Sequence, residues 1–348
     1  MEQRKQYFDI AKGIGIILVI MGHIEYVPLF IRQYIVTFHM PLFFVIGGML
    51  IFVTGESQKP LKTLIIKKLK RIMLPYAVFS VIYPLIGMFY YIYTGYSVGE
   101  SAKTLIPNLL IGLSGTGMSV LWFLPSLFFG ELIVLGFIKL HRKILFEIIF
   151  LLALTGIWGL GFICEPMSLF IWRTLFCSLM ILAGFLIYPL VERFRSLPYV
   201  LLICSVIYFV ILYYTGLAND IVDLHFMALG NKLLYFLNAL LGSTATIFLS
   251  VFLEKLAIKP LNSFFTFYGR NSLFVMITHI DFFILYIAEV IAIKAMDYIT
   301  VLRDFIFNAL ILILVLLIEA LLILLWTKLK GIIGPLCRKK EGKKKAKT

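Results

Sequence analysis

The chain has 348 residues, of which 61% are hydrophobic, 16% aromatic and only 14% charged, with a mean hydropathy of +1.01. That balance excludes an ordinary soluble globular protein and points to a chain built to lie in a bilayer. The formal net charge of +14 does not indicate nucleic acid, because the basic residues crowd beside apolar runs and in the tail RKKEGKKKAKT, where an anionic inner leaflet accounts for them.

A hydrocarbon core asks for ~20 mostly apolar residues per helix. By that measure about ten spans are expected, over 10–30, 35–54, 73–94, 119–138, 144–163, 169–190, 198–217, 233–253, 268–290 and 305–326. The piece 104–113 is too short to cross and reads as interfacial or re-entrant. The first apolar run lacks a small-residue cleavage site, so it is expected to be a span and not a removed signal. With both termini in the cytoplasm, only Arg32, Lys103, Arg173, Lys232, Lys294 and Arg303 fall on the far side, and this bias selects that orientation. The expected fold is therefore all-α and polytopic: one membrane domain over 1–330 and a basic, disordered cytoplasmic tail over 331–348. Cys164, Cys177, Cys204 and Cys337 show neither metal-ligand spacing nor a disulfide framework, and no metal is expected.

The first span, DIAKGIGIILVIMGHI, places Lys12 and His23 in one apolar run. Eleven helical steps leave them about 20° apart around the axis and about 16 Å apart along it, on one face. In the second span, TFHMPLFFVIGGML, His39 should reach a depth similar to that of His23 on an antiparallel neighbour. The ninth, YGRNSLFVMITHIDFF, carries His279 and Asp281. Ionisable groups at membrane depth are costly, and histidine is suited to exchanging a proton near neutral pH. The plainer alternative for each is an imidazole hydrogen-bonded to a neighbour, holding helices together. His141 and His225 lie in loops and are given no role.

Lys12, Arg71 before Pro75, and Arg270 would be met first by a phosphate-bearing donor from the cytoplasm, whereas Lys67, Lys68 and Lys70 read as solvated positive-inside charge. Gly13, Gly15, Gly22, Gly47 and Gly48 either let helices pack closely or leave room for a thin substrate arm. Trp122 fits an interfacial aromatic belt, Glu131 invites a buried cation, and Arg173 should either snorkel or meet an acceptor. Together with Asn271, these three are the candidates for substrate contact.

DIAKGIGIILVIMGH, FHMPLFFVIGGML, RIMLPY, LWFLPSLF and YGRNSLFVMITH follow one another in this order between Tyr7 and Trp326. In this the chain resembles the acyltransferase-3 family of bacterial membrane proteins, especially its fucose 4-O-acetylase-like branch. The resemblance implies O-acetylation of a carbohydrate outside the plasma membrane, with acetyl-CoA as the cytoplasmic donor. His23 matches the family's essential histidine, Lys12 its basic partner, and Arg71 with Pro75 and Tyr76 its cytoplasmic-side element. With such a donor, Lys12, Arg71 and Arg270 are expected to hold the coenzyme A phosphates. His23 would then act as general base, and His39, His279 or the Asn271–Ser272 pair would orient it or steady the oxyanion; a covalent acetyl-histidine relay is the competing route. The expected partners are a carbohydrate acceptor, membrane lipids and proteins of polysaccharide biosynthesis. The rival class is a sugar transporter or flippase using the histidines as proton relays, although no inverted repeat is visible. Glycan that is present without acetyl esters in a deletion strain, as opposed to missing glycan, separates the two.

Overall fold

The computed structural model describes residues 5–113, 119–140, 150–151, 153–156, 169–296 and 303–345. In chain order the helices are α1 (Tyr7–His23), α2 (Leu29–Val36), α3 (His39–Val53), α4 (Leu61–Lys68), α5 (Leu74–Tyr93), α6 (Val98–Leu113), α7 (Phe123–Leu140), α8 (Leu169–Phe194), α9 (Pro198–Leu217), α10 (Lys232–Leu256), α11 (Lys259–Arg270), α12 (Ser272–Thr278), α13 (Ile284–Met296) and α14 (Arg303–Lys345). No strand occurs among the described residues. Among the described residues, seven stretches are long and apolar enough to cross a membrane: Leu29–Val53, Leu61–Tyr93, Ser119–Leu140, Leu169–Phe194, Pro198–Leu217, Lys232–Leu256 and Phe305–Lys330.

The boundaries differ from the hydropathy reading at four places. α1 stops at His23 instead of 30, because Pro28 holds an extended conformation (φ −50°, ψ 137°) that starts α2 and disfavours helix just before it. The third span begins earlier than 73: α4 and α5 are joined by a π-helical turn, Leu69–Met73, so the basic run KKLKR is helical and not a loop. The expected span 268–290 is broken at Asn271 and again before Ile284, where Phe283 has φ 58°. α14 continues to Lys345 through most of the tail expected to be disordered, as lysine and glutamate extend a helix already nucleated. The expected span 144–163 and His141 lie largely outside the described residues.

The chain forms two compact units. The first comprises residues up to Arg270 apart from Ile24–Tyr26. Here α1 is surrounded by α2, α3, α10 and α11, while α3 and α7 lie against α8, and α9 lies against α10. Glycines decide how close these helices come. A Cβ on Gly48 of α3 would overlap the carbonyl oxygen of Ile181, and one on Gly184 of α8 would overlap that of Val45. The two backbones touch because neither carries a side chain at the crossing. Gly13 of α1 meets Phe265, and Gly269 of α11 meets Asp9, in the same way. Gly15 faces the Leu42 side chain. Of the two readings of the glycines, close packing accounts for Gly13, Gly15 and Gly48.

The start of α1 is tied down by charge. Glu254 of α10 accepts from the backbone N–H groups of Gln6 (2.7 Å) and Tyr7 (3.2 Å), satisfying donors that a helix N-terminus leaves open. Arg195 bridges to the same glutamate at 2.7 Å, and Lys5 pairs with Glu192 at 2.8 Å.

The second unit contains Ile24–Tyr26 and the chain from Asn271 onward. Asn308 of α14 donates to the Tyr26 carbonyl (2.9 Å), and the Tyr26 and Phe307 rings meet edge to face at 4.8 Å. Glu319 of α14 is fully buried and accepts from the Thr278 hydroxyl at 2.8 Å.

Candidate functional site

α1 runs unbroken from Lys12 to His23, so the separation of about 16 Å expected along its axis holds. At the His23 end, Nδ1 lies 2.8 Å from the Val19 carbonyl oxygen. A carbonyl can only accept, so Nδ1 carries the hydrogen and the neutral ring presents its lone pair at Nε2. His39 and His279 repeat this arrangement with Ile35 (3.0 Å) and Val275 (2.9 Å). His23 and His279 are thus held by the preceding turn of their own helices, and His39, the first residue of α3, by Ile35 near the end of α2. His39 and His279 are buried, whereas His23 is exposed. His39, Asp223 and Arg32 are near enough to His23 to act on it electrostatically. His279 and Asn271 stand in the second unit.

At the Lys12 end, Asp9 joins two of the expected phosphate ligands. Its carboxylate is 3.0 Å from the Lys12 ammonium and 3.3 Å from Arg270 Nε. Asp9 is buried, while the Arg270 side chain is 56% exposed, so the cations reach outward from a fixed anion. Asp9 is not among the residues expected from sequence, although its i,i+3 spacing from Lys12 is a helical pairing signal.

Beside the π-turn, Lys68 corrects the expectation of a solvated charge. It is buried and bridges Glu131 and Glu56, each at 2.7 Å, because α4, α7 and the Glu56–Gln58 turn converge there. Glu131 therefore has the cation its depth calls for, and Arg71 adds a second positive charge nearby. Lys67 also contacts Glu56, at 3.0 Å. Burial pushes the Glu56 carboxyl up, but Lys68 and Lys67 outweigh it and hold it below its ordinary 4.5. A depressed folded pKa contributes stability above the unfolded value that is lost as pH falls through the folded one. Thermal stability in detergent should therefore fall below about pH 4.5, and Glu56→Gln should flatten that part of the profile.

Trp122 and Arg173 come together, neither as expected singly. Arg173 is fully buried and does not snorkel: Nε donates to Ser126 (3.0 Å), Nη1 donates to the His225 carbonyl (3.0 Å), and the guanidinium lies 5.0 Å from the Trp122 ring centre. Trp122 is 7% exposed and stacks on His225 at 5.7 Å with the planes 7° apart, so it faces protein and not an interfacial belt. His225, given no role from sequence, is thus part of this end. Burial and the Arg173 charge push its pKa below the ordinary 6.5, against a smaller opposing pull from Asp223, so the ring stacks as a neutral imidazole at neutral pH.

Among the described residues no group of three or more His, Cys, Asp or Glu gathers as metal ligands would, and Cys177 and Cys204 are free thiols.

Long apolar helices, some packed backbone to backbone at glycines, define a multi-pass helical membrane protein. The chain matches the acyltransferase-3 family model, described as an acyltransferase domain, over residues 5–326, and belongs to that family. It is a membrane acyltransferase. No curated protein and no solved structure matches it.

Proposed function

We propose that the protein is an O-acetyltransferase of the bacterial plasma membrane, of the fucose 4-O-acetylase-like kind, which moves an acetyl group from cytoplasmic acetyl-CoA to a hydroxyl of a cell-surface or lipid-linked carbohydrate. The observation that carries this reading is the exposed His23, whose Nδ1 is committed to Val19 so that Nε2 is the basic atom, on the same unbroken helix as Lys12. The Lys12 end faces the cytoplasm and the His23 end faces outward, in keeping with the distribution of basic residues.

Lys12 and Arg270, steadied by Asp9, take phosphates of the donor, and Arg71 is a further candidate for the same role. The pantetheine arm spans the intervening distance and brings the thioester to His23. The acceptor hydroxyl gives its proton to Nε2 as its oxygen attacks the thioester carbonyl. When the tetrahedral intermediate collapses, the carbon–sulfur bond breaks and the imidazolium returns the proton to the departing thiolate, leaving an acetyl ester and free coenzyme A. His39 lies close enough for the two rings to influence each other's charge and is the candidate to orient His23.

The reading is tested in proteoliposomes with radiolabelled acetyl-CoA and surface polysaccharide purified from cells lacking the protein. Label in alkali-labile ester on the polysaccharide is expected; none, with donor binding demonstrated, would overturn it. Lys12→Ala should raise the KM for acetyl-CoA about tenfold with kcat nearly unchanged, since one charge-assisted contact to phosphate is lost. An unaltered donor KM removes Lys12 from the donor site.

A further inference from the structure

The connection between α9 and α10, residues 218–231, has more internal order than joining two helices requires. Asp223 and Ala228 exchange backbone hydrogen bonds of 2.7 and 3.0 Å. Asn219 spans the base, its amide donating to the Leu229 carbonyl (3.1 Å) and its carbonyl accepting from the Asn231 N–H (2.8 Å). Gly230, at φ 57°, sits where a side chain would collide with Asn219. The loop is fastened on two sides: Gln33 of α2 donates to the Gly216 and Asn219 carbonyls, and Arg173 of α8 donates to that of His225.

Two side chains of this loop are presented outward. The stack that begins with Arg173 over Trp122 passes to His225 and then to Phe226, whose ring centre is 4.4 Å from that of His225. Phe226 is 64% exposed, so a buried column ends in an open aromatic face. Asp223 is also exposed, and its Oδ1 accepts from the N–H groups of His225 (2.8 Å) and Phe226 (3.2 Å), which fixes the carboxylate beside that aromatic residue. It is the acidic group that acts electrostatically on His23.

We infer that this loop selects the acceptor: the Phe226 ring takes the apolar C–H face of a pyranose, and the Asp223 carboxylate accepts hydrogen bonds from its hydroxyls and holds one of them at His23. This rests on the acetyl-transfer reading above and names the part of the acceptor that is read. An aromatic face matches the C–H surface of a sugar ring, and an ionised carboxylate, which can only accept, matches a cluster of hydroxyl donors. The same carboxylate disfavours an acceptor with a negative charge next to the reacting hydroxyl. It also argues against lipid as the occupant, because an exposed aspartate is expensive to bring into the bilayer beside Phe226.

The test uses the full-length protein in the same proteoliposomes, with Phe226→Ala and Asp223→Asn. Asparagine keeps an oxygen for the two turn N–H groups, so the loop retains its shape. Each change should raise the KM for the purified polysaccharide about tenfold while leaving the KM for acetyl-CoA within twofold. Phe226→Trp should keep the wild-type value. Unchanged acceptor KM in both variants overturns the inference, and quenching of a Phe226→Trp side chain by brominated phospholipid would then assign this ring to the lipid interface. Failure of the wild-type protein to label the polysaccharide at all is a distinct result, and it counts against the acetyl-transfer reading itself.

Discussion

His23→Ala is expected to lower the kcat of acetyl transfer by about 10²–10⁴ and to leave the KM for acetyl-CoA unchanged. The size follows from losing the atom that accepts the hydroxyl proton. The selectivity follows from distance, since Lys12, which pairs with Asp9, stands about 16 Å away along α1. Because His23 stands exposed at the end of α1, its removal should not unfold the protein, and the variant should insert and melt like the wild type. Stopped-flow or steady-state transfer assays, paired with donor binding measured by calorimetry, separate these effects. Transfer within a few-fold of wild type would sink the role of His23. Labelled acetyl trapped on the protein without acceptor, and absent from His23→Ala, would convert the general base into a covalent carrier.

Lys68→Ala is expected to be strongly destabilising. It leaves Glu131 and Glu56 buried without their shared cation, and stranding buried charge in this way costs about 3–5 kcal/mol. The protein should be recovered in low yield and unfold at lower temperature in detergent. Adding Glu131→Gln to Lys68→Met should recover part of the loss, because it removes the buried Glu131 charge while Glu56 keeps its contact with Lys67. A Lys68→Ala protein as stable as wild type would mean that the two carboxylates are hydrated after all.

The contrast between these two residues shows where sequence reasoning reaches. His23 and Lys12 could be related to one another because both lie on a single helix, where position along the chain fixes position in space. Lys68 could not, since its partner Glu131 is 63 positions away and only the packing of α4 against α7 brings them together. The run KKLKR has the composition of a solvated inner loop, and nothing local marks one of its lysines as buried. Asp9 is the intermediate case: its pairing with Lys12 is readable from i,i+3 spacing, but its contact with Arg270 spans 261 positions and requires Gly269 to let α11 touch α1.

His225 marks the far limit. In the sequence it is one histidine in a polar connection, and its significance comes from Arg173, 52 positions earlier, which holds its carbonyl, and from Trp122, on which its ring lies. Arg173 itself had two readings from sequence, and burial removed the snorkelling one.

Apolar composition, the helical period and the order of its motifs were enough to establish a multi-pass α-helical membrane protein and its acyltransferase family, because helix formation in a bilayer depends on residues adjacent in the chain. The pairing of charges, the burial of Lys68 and Arg173, and the fastening of the 218–231 loop were decided only by tertiary structure. Those features depend on which helix backbones approach closely enough to exclude lipid and water, and glycine crossings such as Gly48 with Gly184 set that approach between segments far apart in sequence.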